Sequence, residues 1–254
     1  GALLGNINVE AMPVDEKDGA TSAFASTDSK GNYTIYGVDP NVKYYTVIAG
    51  SRPDFMEFIP VTWGEVEEDV EVTSTGLTGV DFALPAANAS LSGTIHKTGS
   101  SPWTLPFMED DMPAPFILLQ KQGEVYSDPM DGIEAIGEPN DGDTTTFSMS
   151  GIVPGTYNLK IFSRGYTTKI VRGIVIAEGS NVISTPIEIV EGGTASGTVV
   201  KDDGTYPTTS EVSEVVAVSA DLDVLIFGTV TSNEASREVT AYSSSGLEAG
   251  KSYL

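Results

Sequence analysis

The chain contains no cysteine, one histidine, and only 13 lysine and arginine residues against 36 aspartate and glutamate residues. The lack of cysteine excludes disulfide bonds and thiolate chemistry. The formal net charge of −23 argues against binding to nucleic acid or to an anionic membrane, because both need clusters of basic residues. No apolar run approaches the roughly 20 residues that span a bilayer. The lone histidine, His96, supports neither a triad nor a zinc site, so we do not expect catalysis.

Apolar residues alternate with polar ones along several short stretches, which is the pattern of half-buried β-strands. The stretches are 7–12, 80–84, 157–162, 174–176 and 187–189. Turns rich in glycine, proline and aspartate separate them, and no long amphipathic helix is evident. Hydrophobic residues make up 40% of the chain, which is enough for real cores. The sequence therefore predicts an all-β protein built from β-sandwiches.

One phrase occurs three times: a strand, a glycine with an apolar neighbour, a turn, and a tyrosine that opens the next strand. Its glycines are Gly37, Gly151 and Gly246, and its tyrosines are Tyr44, Tyr157 and Tyr253. Repetition at this spacing indicates three copies of one β-domain. We expect each glycine to form the turn. We expect each tyrosine to fix the corner by burying its ring and hydrogen-bonding its hydroxyl.

Short linkers at 84–90 and 190–194 divide the copies. The predicted domains are repeat 1 at 1–86, repeat 2 at 87–191 with an acidic insertion at 122–144, and repeat 3 at 192–254. Linkers this short favour a rod-like array. Repeat 1 lacks an opening strand in this alignment, and repeat 3 lacks its last strands. We expect a longer parent array or neighbouring chains to complete these edges.

A family resemblance is carried by several segments: Thr-Asp-Ser-Lys-Gly-Asn-Tyr-Thr-Ile at 27–35, Gly-Thr-Tyr at 155–157 with Arg-Gly-Tyr at 164–166, and Ser-Gly-Thr-Val at 196–199 with the Asp-Asp-Gly turn at 202–204. They resemble the carboxypeptidase regulatory-like domains, which are close to transthyretin-like and collagen-adhesin B-type domains. The resemblance covers nearly the whole chain and implies tandem seven-stranded, Ig-like or transthyretin-like β-sandwiches. Such domains are not catalytic and are usually strung along secreted or surface proteins.

The resemblance therefore implies a non-catalytic structural protein at the cell surface or outside the cell. Its role would be that of a surface stalk, an adhesin, or a subunit of a filament or surface layer. Its partners would be like domains of the same or of neighbouring chains, with sheet-edge pairing as the route of assembly.

Collagen-adhesin B-type domains often carry an internal isopeptide bond from a lysine to an asparagine or aspartate. The resemblance makes Lys97 and Lys201 the candidate lysines. However, the stretch 158–163 in repeat 2 contains no carboxylic acid to catalyse the reaction. Because lysines are seldom fully buried without a partner, we expect both to be ordinary surface residues.

The stretch 124–143 holds seven carboxylates and no lysine or arginine. Carboxylate oxygens are ligands that calcium prefers. The candidate calcium ligands are Asp128, Asp131, Glu138, Asp141 and Asp143. The alternative is a solvated acidic insertion. A second acidic stretch at 65–71 is expected to be a solvated turn and strand face.

Four aromatic residues could form a platform on which sugar rings stack, since related sandwiches bind glycans: Trp63, Trp103, Phe107 and Tyr126. Alternatively, they pack within the domains. The second functional hypothesis is therefore a carbohydrate- or calcium-dependent binding module of a larger secreted enzyme.

Overall fold

The computed structural model describes residues 3–14, 21–39, 41–42, 44–50, 63–105, 114–124, 130–139, 142–212, 215–220, 224–233 and 235–254. These residues form 16 strands and no helix, which confirms the predicted all-β class. The chain divides into two compact units. The first consists mainly of residues up to Ala89, together with Ser150–Pro154, and the second mainly of the residues from Ser90 onward.

The first unit contains one four-stranded antiparallel sheet in the order β2-β1-β3-β4. Its strands are β1 (Asn8–Pro13), β2 (Ala23–Ser26), β3 (Tyr44–Ala49) and β4 (Val66–Glu71). Alternate residues of β1 and β3 point into one core, which includes Val9, Tyr45 and Val47. At the edge of this sheet, the carboxylates of β4 from Glu67 to Asp69 are exposed, as predicted for the acidic stretch at 65–71.

A second layer covers this core without forming a strand. Val80, Phe82 and Leu84 are half-buried and pack against the core, while Asp81 between them is exposed. The alternation predicted at 80–84 is therefore present, but the prediction of a strand there is wrong. Side-chain contacts hold the segment in place: the Tyr33 hydroxyl donates to the Val80 carbonyl at 2.8 Å.

The second unit begins with a sandwich of two four-stranded sheets, in the orders β11-β10-β6-β7 and β12-β5-β9-β8. The strands are β5 (Ala89–Thr98), β6 (Phe116–Lys121), β7 (Ile133–Ile136), β8 (Glu138–Pro139), β9 (Thr144–Ile152), β10 (Gly155–Phe162), β11 (Lys169–Ile176) and β12 (Gly179–Val190). The described part of repeat 2 thus has eight strands, whereas the family resemblance implied seven. Two of them, β7 and β8, lie within the acidic insertion predicted at 122–144.

The central strands β6 and β10 are buried on both faces. Ile117 pairs with Ile161 across the two strands, and both are at most 1% exposed. The opposite face carries Phe116 and Phe162, which form a separate cluster with Leu105. Because successive residues of a strand point to opposite faces, Leu105 packs on the face of the sheet opposite to Ile117 and Ile161. The stretch 157–162 was predicted as half-buried and is buried on both sides near its end.

The third sheet has the order β13-β16-β15-β14. Its strands are β13 (Gly193–Gly197), β14 (Val215–Val218), β15 (Leu225–Ser232) and β16 (Val239–Leu247). Strand β13 includes only the first two residues of the Ser-Gly-Thr-Val segment at 196–199. The last residues pair with the end of β14, where the Leu254 amide donates to the Val218 carbonyl at 2.8 Å.

The three repeated glycines have the backbone conformation that the corner requires. Gly37, Gly151 and Gly246 have φ angles of +88°, +70° and +101°, a region that favours glycine because it lacks a Cβ. The positive φ angles agree with the prediction, but Gly151 and Gly246 lie within the ends of β9 and β16 rather than in a turn between strands.

The second and third repeated tyrosines each show one part of the prediction, a buried ring for Tyr157 and a hydrogen-bonded hydroxyl for the half-buried Tyr253, and the first departs from it. Tyr157 is buried, and the Tyr253 hydroxyl accepts a hydrogen bond from the Glu248 amide at 3.0 Å. In the first copy Tyr45 is fully buried, and its hydroxyl accepts from the Asp39 amide at 2.8 Å. Tyr44, the predicted residue, is 43% exposed. A shift of one residue moves a side chain to the other face of a strand, so the prediction of Tyr44 is wrong.

Candidate functional site

The most unusual polar side chain of the second unit is Lys97, near the end of β5. Its side chain is 8% exposed, so the expectation of a surface lysine is wrong. Alternation along β5 explains the burial: Leu91, Ile95 and Lys97 all lie on the inward side of the strand. An ammonium group in such a place requires partners, because burying an unpaired charge is costly.

Lys97 finds these partners in one short segment and two aromatic rings. Its Nζ donates to the Ser101 carbonyl at 2.7 Å. It also lies 5.6 Å from the centre of the Trp103 ring and 5.8 Å from that of Tyr166. The two rings stack with their centres 6.0 Å apart. A cation near a π face within about 6 Å is attracted electrostatically, so the rings replace part of the lost hydration.

Two carboxylates complete the charge balance. Asp143 Oδ1 lies 3.8 Å from Lys97 Nζ, and the Glu191 carboxylate interacts electrostatically with the same ammonium. Hydrogen bonds from the Ser101 hydroxyl and the Ser100 amide, aided by Lys97, lower the pKa of Glu191. We call Lys97, Ser101, Trp103, Asp143, Tyr166 and Glu191 the lysine cluster.

The phenol of Tyr166 responds to the same surroundings. Burial raises its pKa, and the negative charges of Glu191 and Asp143 raise it further. The hydroxyl donates to the Ser101 carbonyl, which is also the acceptor for Lys97. Tyr166 therefore serves as a neutral hydrogen-bond donor within the cluster.

The lysine cluster joins four separate parts of the chain. The Trp103 indole nitrogen donates to the Gly142 carbonyl at 3.1 Å, and the Lys97 amide donates to the Asp143 carbonyl at 2.9 Å. Tyr166 follows β10, and Glu191 follows β12. The cluster thus ties the loop after β5 to the ends of three other segments, which is a structural role.

This geometry does not support an isopeptide bond to the last strand of the sandwich. The one asparagine of β12 is Asn181, and its side-chain amide donates to the Ser90 carbonyl at 3.1 Å. Ser90 and Lys97 are seven residues apart on β5, which corresponds to roughly 23 Å of strand. Lys97 and Asn181 therefore lie at opposite ends of the sheet.

Lys201 is a surface residue, as expected. Its side chain is 39% exposed and pairs with Glu211 at 2.8 Å. Glu211 also accepts a hydrogen bond from the Thr208 amide at 2.7 Å. The hydrogen bond from Lys201, followed by those from Thr208, lowers the pKa of Glu211 to about 2.

The candidate calcium ligands are only partly within the described residues. Asp128 and Asp141 lie outside them, whereas Asp131, Glu138 and Asp143 lie inside. Within the described ranges, no three histidine, aspartate or glutamate side chains form a group that could hold a metal ion. Asp143 is instead engaged near Lys97. Calcium binding by the insertion stays a prediction.

The aromatic residues proposed as a sugar platform have separate environments. Trp103 is 6% exposed and belongs to the lysine cluster, so its ring packs inside the unit. Trp63 is half-buried and bridges to Ala86 through its backbone. Phe107 and Tyr126 lie outside the described residues. Glycan binding by these four residues therefore stays a prediction.

A crevice of about 460 Å³ borders the lysine cluster. Its lining comes from the segment 101–104, from Arg164 and Gly165, and from Ser245 of β16. Repeats 2 and 3, as the sequence divides them, both contribute to it. In the described part of the chain, no helix is long and apolar enough to cross a bilayer.

Sequence reasoning identified Lys97 and Trp103 but not Tyr166 and Glu191 as their partners. One signal was available, because Lys97 continues the inward series of Leu91 and Ile95 along β5. Tyr166 and Glu191 lie 69 and 94 residues further along the chain. Contacts at such separations depend on the fold, which local periodicity does not reveal.

No family model and no curated protein matches this sequence. A type II cohesin–X-dockerin complex of Acetivibrio cellulolyticus, carrying an interface mutation, matches with 18% identity and a TM-score of 0.26, over 41% of this chain and 58% of that one. A candidate cell adhesion protein of Bacteroides fragilis matches with 13% identity and a TM-score of 0.26, over 77% and 85%. A candidate adhesin of Bacteroides ovatus matches with 12% identity and a TM-score of 0.26, over 75% and 88%. This chain thus spans 58% of the first of these structures. At these TM-scores the matches assign no family, and the fold is defined by the strands and sheets described above.

Proposed function

We propose that this chain is a non-catalytic structural segment of an extracellular or cell-surface protein, in which three β-sandwich repeats act in series. The repeats are those predicted at 1–86, 87–191 and 192–254. The observation that most favours this function is the shortness of the connection between the second repeat and the third. Strand β12 ends at Val190 and β13 begins at Gly193, so two residues connect the second sandwich to the third sheet. Serial domains without loose linkers suit a stalk, an adhesin or a filament subunit.

The lysine cluster supports the same proposal. Its ammonium, hydroxyl and carboxylate groups contact one another across four segments. Here the charged groups stabilise the position of a loop and of the residues between two repeats.

Like domains of the same or neighbouring chains are the partners we propose. Edge strands present backbone donors and acceptors that a further strand can pair with. In the first unit, the short edge strand β2 exposes Phe24, which is 60% exposed. The opposite edge strand, β4, carries a row of carboxylates that disfavours pairing with an equally acidic strand. Assembly would therefore use the β2 edge rather than the β4 edge.

Two measurements test this function. Small-angle scattering of the purified chain should give an elongated particle about three small domains long, and a compact particle would contradict the serial arrangement. Protease treatment of intact source cells should release peptides of this chain but none of an abundant cytoplasmic protein. Retention of the peptides inside the cells would rule out a surface location. Electron microscopy then separates filament subunits, which form fibres, from isolated stalks.

A further inference from the structure

The two residues between β12 and β13 are fixed through their backbone. The Glu191 amide donates to the Thr98 carbonyl at 3.1 Å, and the Gly192 amide donates to the Gly165 carbonyl at 2.9 Å. Just before them, the Val190 carbonyl accepts from the Thr167 amide at 2.9 Å. Backbone groups of a free linker would be hydrated, whereas these are paired with the last residue of β5 and with the loop that follows β10.

The side chain of Glu191 adds a second attachment. Its carboxylate accepts hydrogen bonds from the Ser101 hydroxyl and from the Ser100 amide, the latter at 3.3 Å. Lys97, which is buried in the same cluster, interacts electrostatically with it. Hydrogen bonds to an ionised group are roughly twice as strong as those between neutral groups. Glu191 therefore attaches the linker to the segment that carries Trp103.

A close backbone contact lies on the other side of the linker. A Cβ atom added to Gly192 would collide with the backbone of Gly246, and one added to Gly246 would collide with the Tyr166 carbonyl. Gly246 belongs to β16, which pairs with β13. The third sheet thus meets the Tyr166 loop through glycine, where any larger residue would hold the two apart.

We propose that residues 190–193 form a locked joint that fixes the third sheet against the second sandwich. The side chain of Glu191 holds the linker through its hydrogen bonds to Ser100 and Ser101. The close backbone contacts of Gly192 and Gly246 fix how near the third sheet lies to the Tyr166 loop. The lysine cluster stabilises these hydrogen bonds of Glu191 by holding Ser100, Ser101 and Tyr166 in place. This inference rests on the proposed serial function and adds that this particular joint keeps one angle.

Pulsed electron–electron double resonance, which measures the distance between two spin labels, tests the joint directly. The chain has no cysteine, so the pair Val175→Cys and Thr231→Cys gives two unique labelling sites on exposed strand positions of β11 and β15. We expect one narrow distance distribution for the otherwise unchanged chain. We expect Glu191→Ala to broaden this distribution at least twofold, because the linker loses its side-chain hydrogen bonds to Ser100 and Ser101.

Two further variants separate the joint from general effects. Gly246→Ala should also broaden or shift the distribution without changing any charge. Glu188→Ala is the matched control, since Glu188 lies at the end of β12, three residues before Glu191, but its carboxylate contacts the partly exposed His96, and it should leave the distribution narrow. A circular dichroism spectrum confirms that each variant is folded.

A broad distribution in the unchanged chain overturns the locked joint, and so does an unchanged width in both Glu191→Ala and Gly246→Ala. If a variant fails to fold, the width for the unchanged chain still decides. These results are independent of the surface-location test, so a flexible joint would leave the proposed function standing. Retention of the peptides inside cells would remove that function and leave the joint intact.

Discussion

The ammonium nitrogen of Lys97 lies 5.6 Å from the centre of the Trp103 ring while donating to the Ser101 carbonyl at 2.7 Å. Replacing Lys97 with methionine keeps most of the apolar stem but removes the donor and the charge. The Ser101 carbonyl then loses one hydrogen-bond donor, and the Asp143 and Glu191 carboxylates lose their common counter-charge. We expect the free energy of unfolding to fall by about 1–3 kcal/mol, measured by urea denaturation.

Lys201→Met is the control for this substitution. It removes an exposed ion pair with Glu211, and such solvent-screened pairs contribute little to stability. Equal losses for the two variants would show that burial of Lys97 adds nothing to stability. The transition that reports on the second unit must be followed, because units of one chain can unfold separately.

The Tyr45 hydroxyl gives a second prediction. It accepts from the Asp39 amide at 2.8 Å, so Tyr45→Phe leaves a partly buried N–H without its acceptor. We expect a loss of about 1–2 kcal/mol in the unfolding of the first unit. Tyr44→Phe, on the exposed face of the same strand, should change stability by less than about 0.5 kcal/mol. A larger effect for Tyr44 would contradict the corner that we describe.

This pair of tyrosines also shows how far the sequence can predict the fold. The repeated phrase located three glycines with positive φ correctly, because this backbone conformation is a local property. It did not settle which of two adjacent tyrosines faces inward, since that depends on the register of β3 against β1. The segment at 80–84 has the predicted alternation but forms no strand. Strand pairing depends on whether another segment lies alongside, which the residues of 80–84 do not determine.

The lysine cluster shows the same limit for the site. Alternation along β5 placed position 97 inward, yet the scarcity of buried lysines favoured a surface residue. The aromatic rings and carboxylates that compensate the buried charge come from positions that only the folded sheets bring together. The rarity of buried lysine is thus a poor guide where a fold supplies both π faces and counter-charges.

The mass of the intact protein tests whether Lys97 is cross-linked. Its Nζ lies 3.8 Å from Asp143 Oδ1 as an ion pair, and the asparagine of β12 is at the other end of the sheet. We expect high-resolution mass spectrometry to give the mass calculated from the sequence. A mass lower by one water would reveal a bond to an aspartate, and a mass lower by one ammonia a bond to an asparagine.

Acid should weaken the Lys201–Glu211 attachment in a defined pH range. The pKa of Glu211 is lowered from 4.5 to about 2, chiefly by the hydrogen bond from Lys201. A lowered pKa in the folded state means that the stabilisation is complete above pH 4.5 and is lost as the pH falls towards 2. The carboxyl carbon resonance of Glu211, followed by NMR, should titrate near 2 in the unchanged protein.

The same titration in Lys201→Met identifies the cause. Without the ammonium donor, the pKa of Glu211 should rise towards 4.5, although the hydrogen bonds from Thr208 will keep it somewhat below that value. A pKa that stays near 2 in this variant would mean that Thr208 rather than Lys201 is responsible.

A comparison of Gly246→Ala with Gly250→Ala distinguishes the cost of backbone strain from the cost of a steric clash. Both have positive φ angles, +101° and +82°, so alanine at either position costs about 1–2 kcal/mol for the left-handed conformation. Gly250 has open space around its Cβ position, whereas a Cβ on Gly246 would meet the Tyr166 carbonyl. We therefore expect Gly246→Ala to lower the free energy of unfolding by clearly more than Gly250→Ala in urea titrations. If the two losses were equal, Tyr166 would have to move aside freely, and the contact between β16 and its loop could not hold the third sheet in one position.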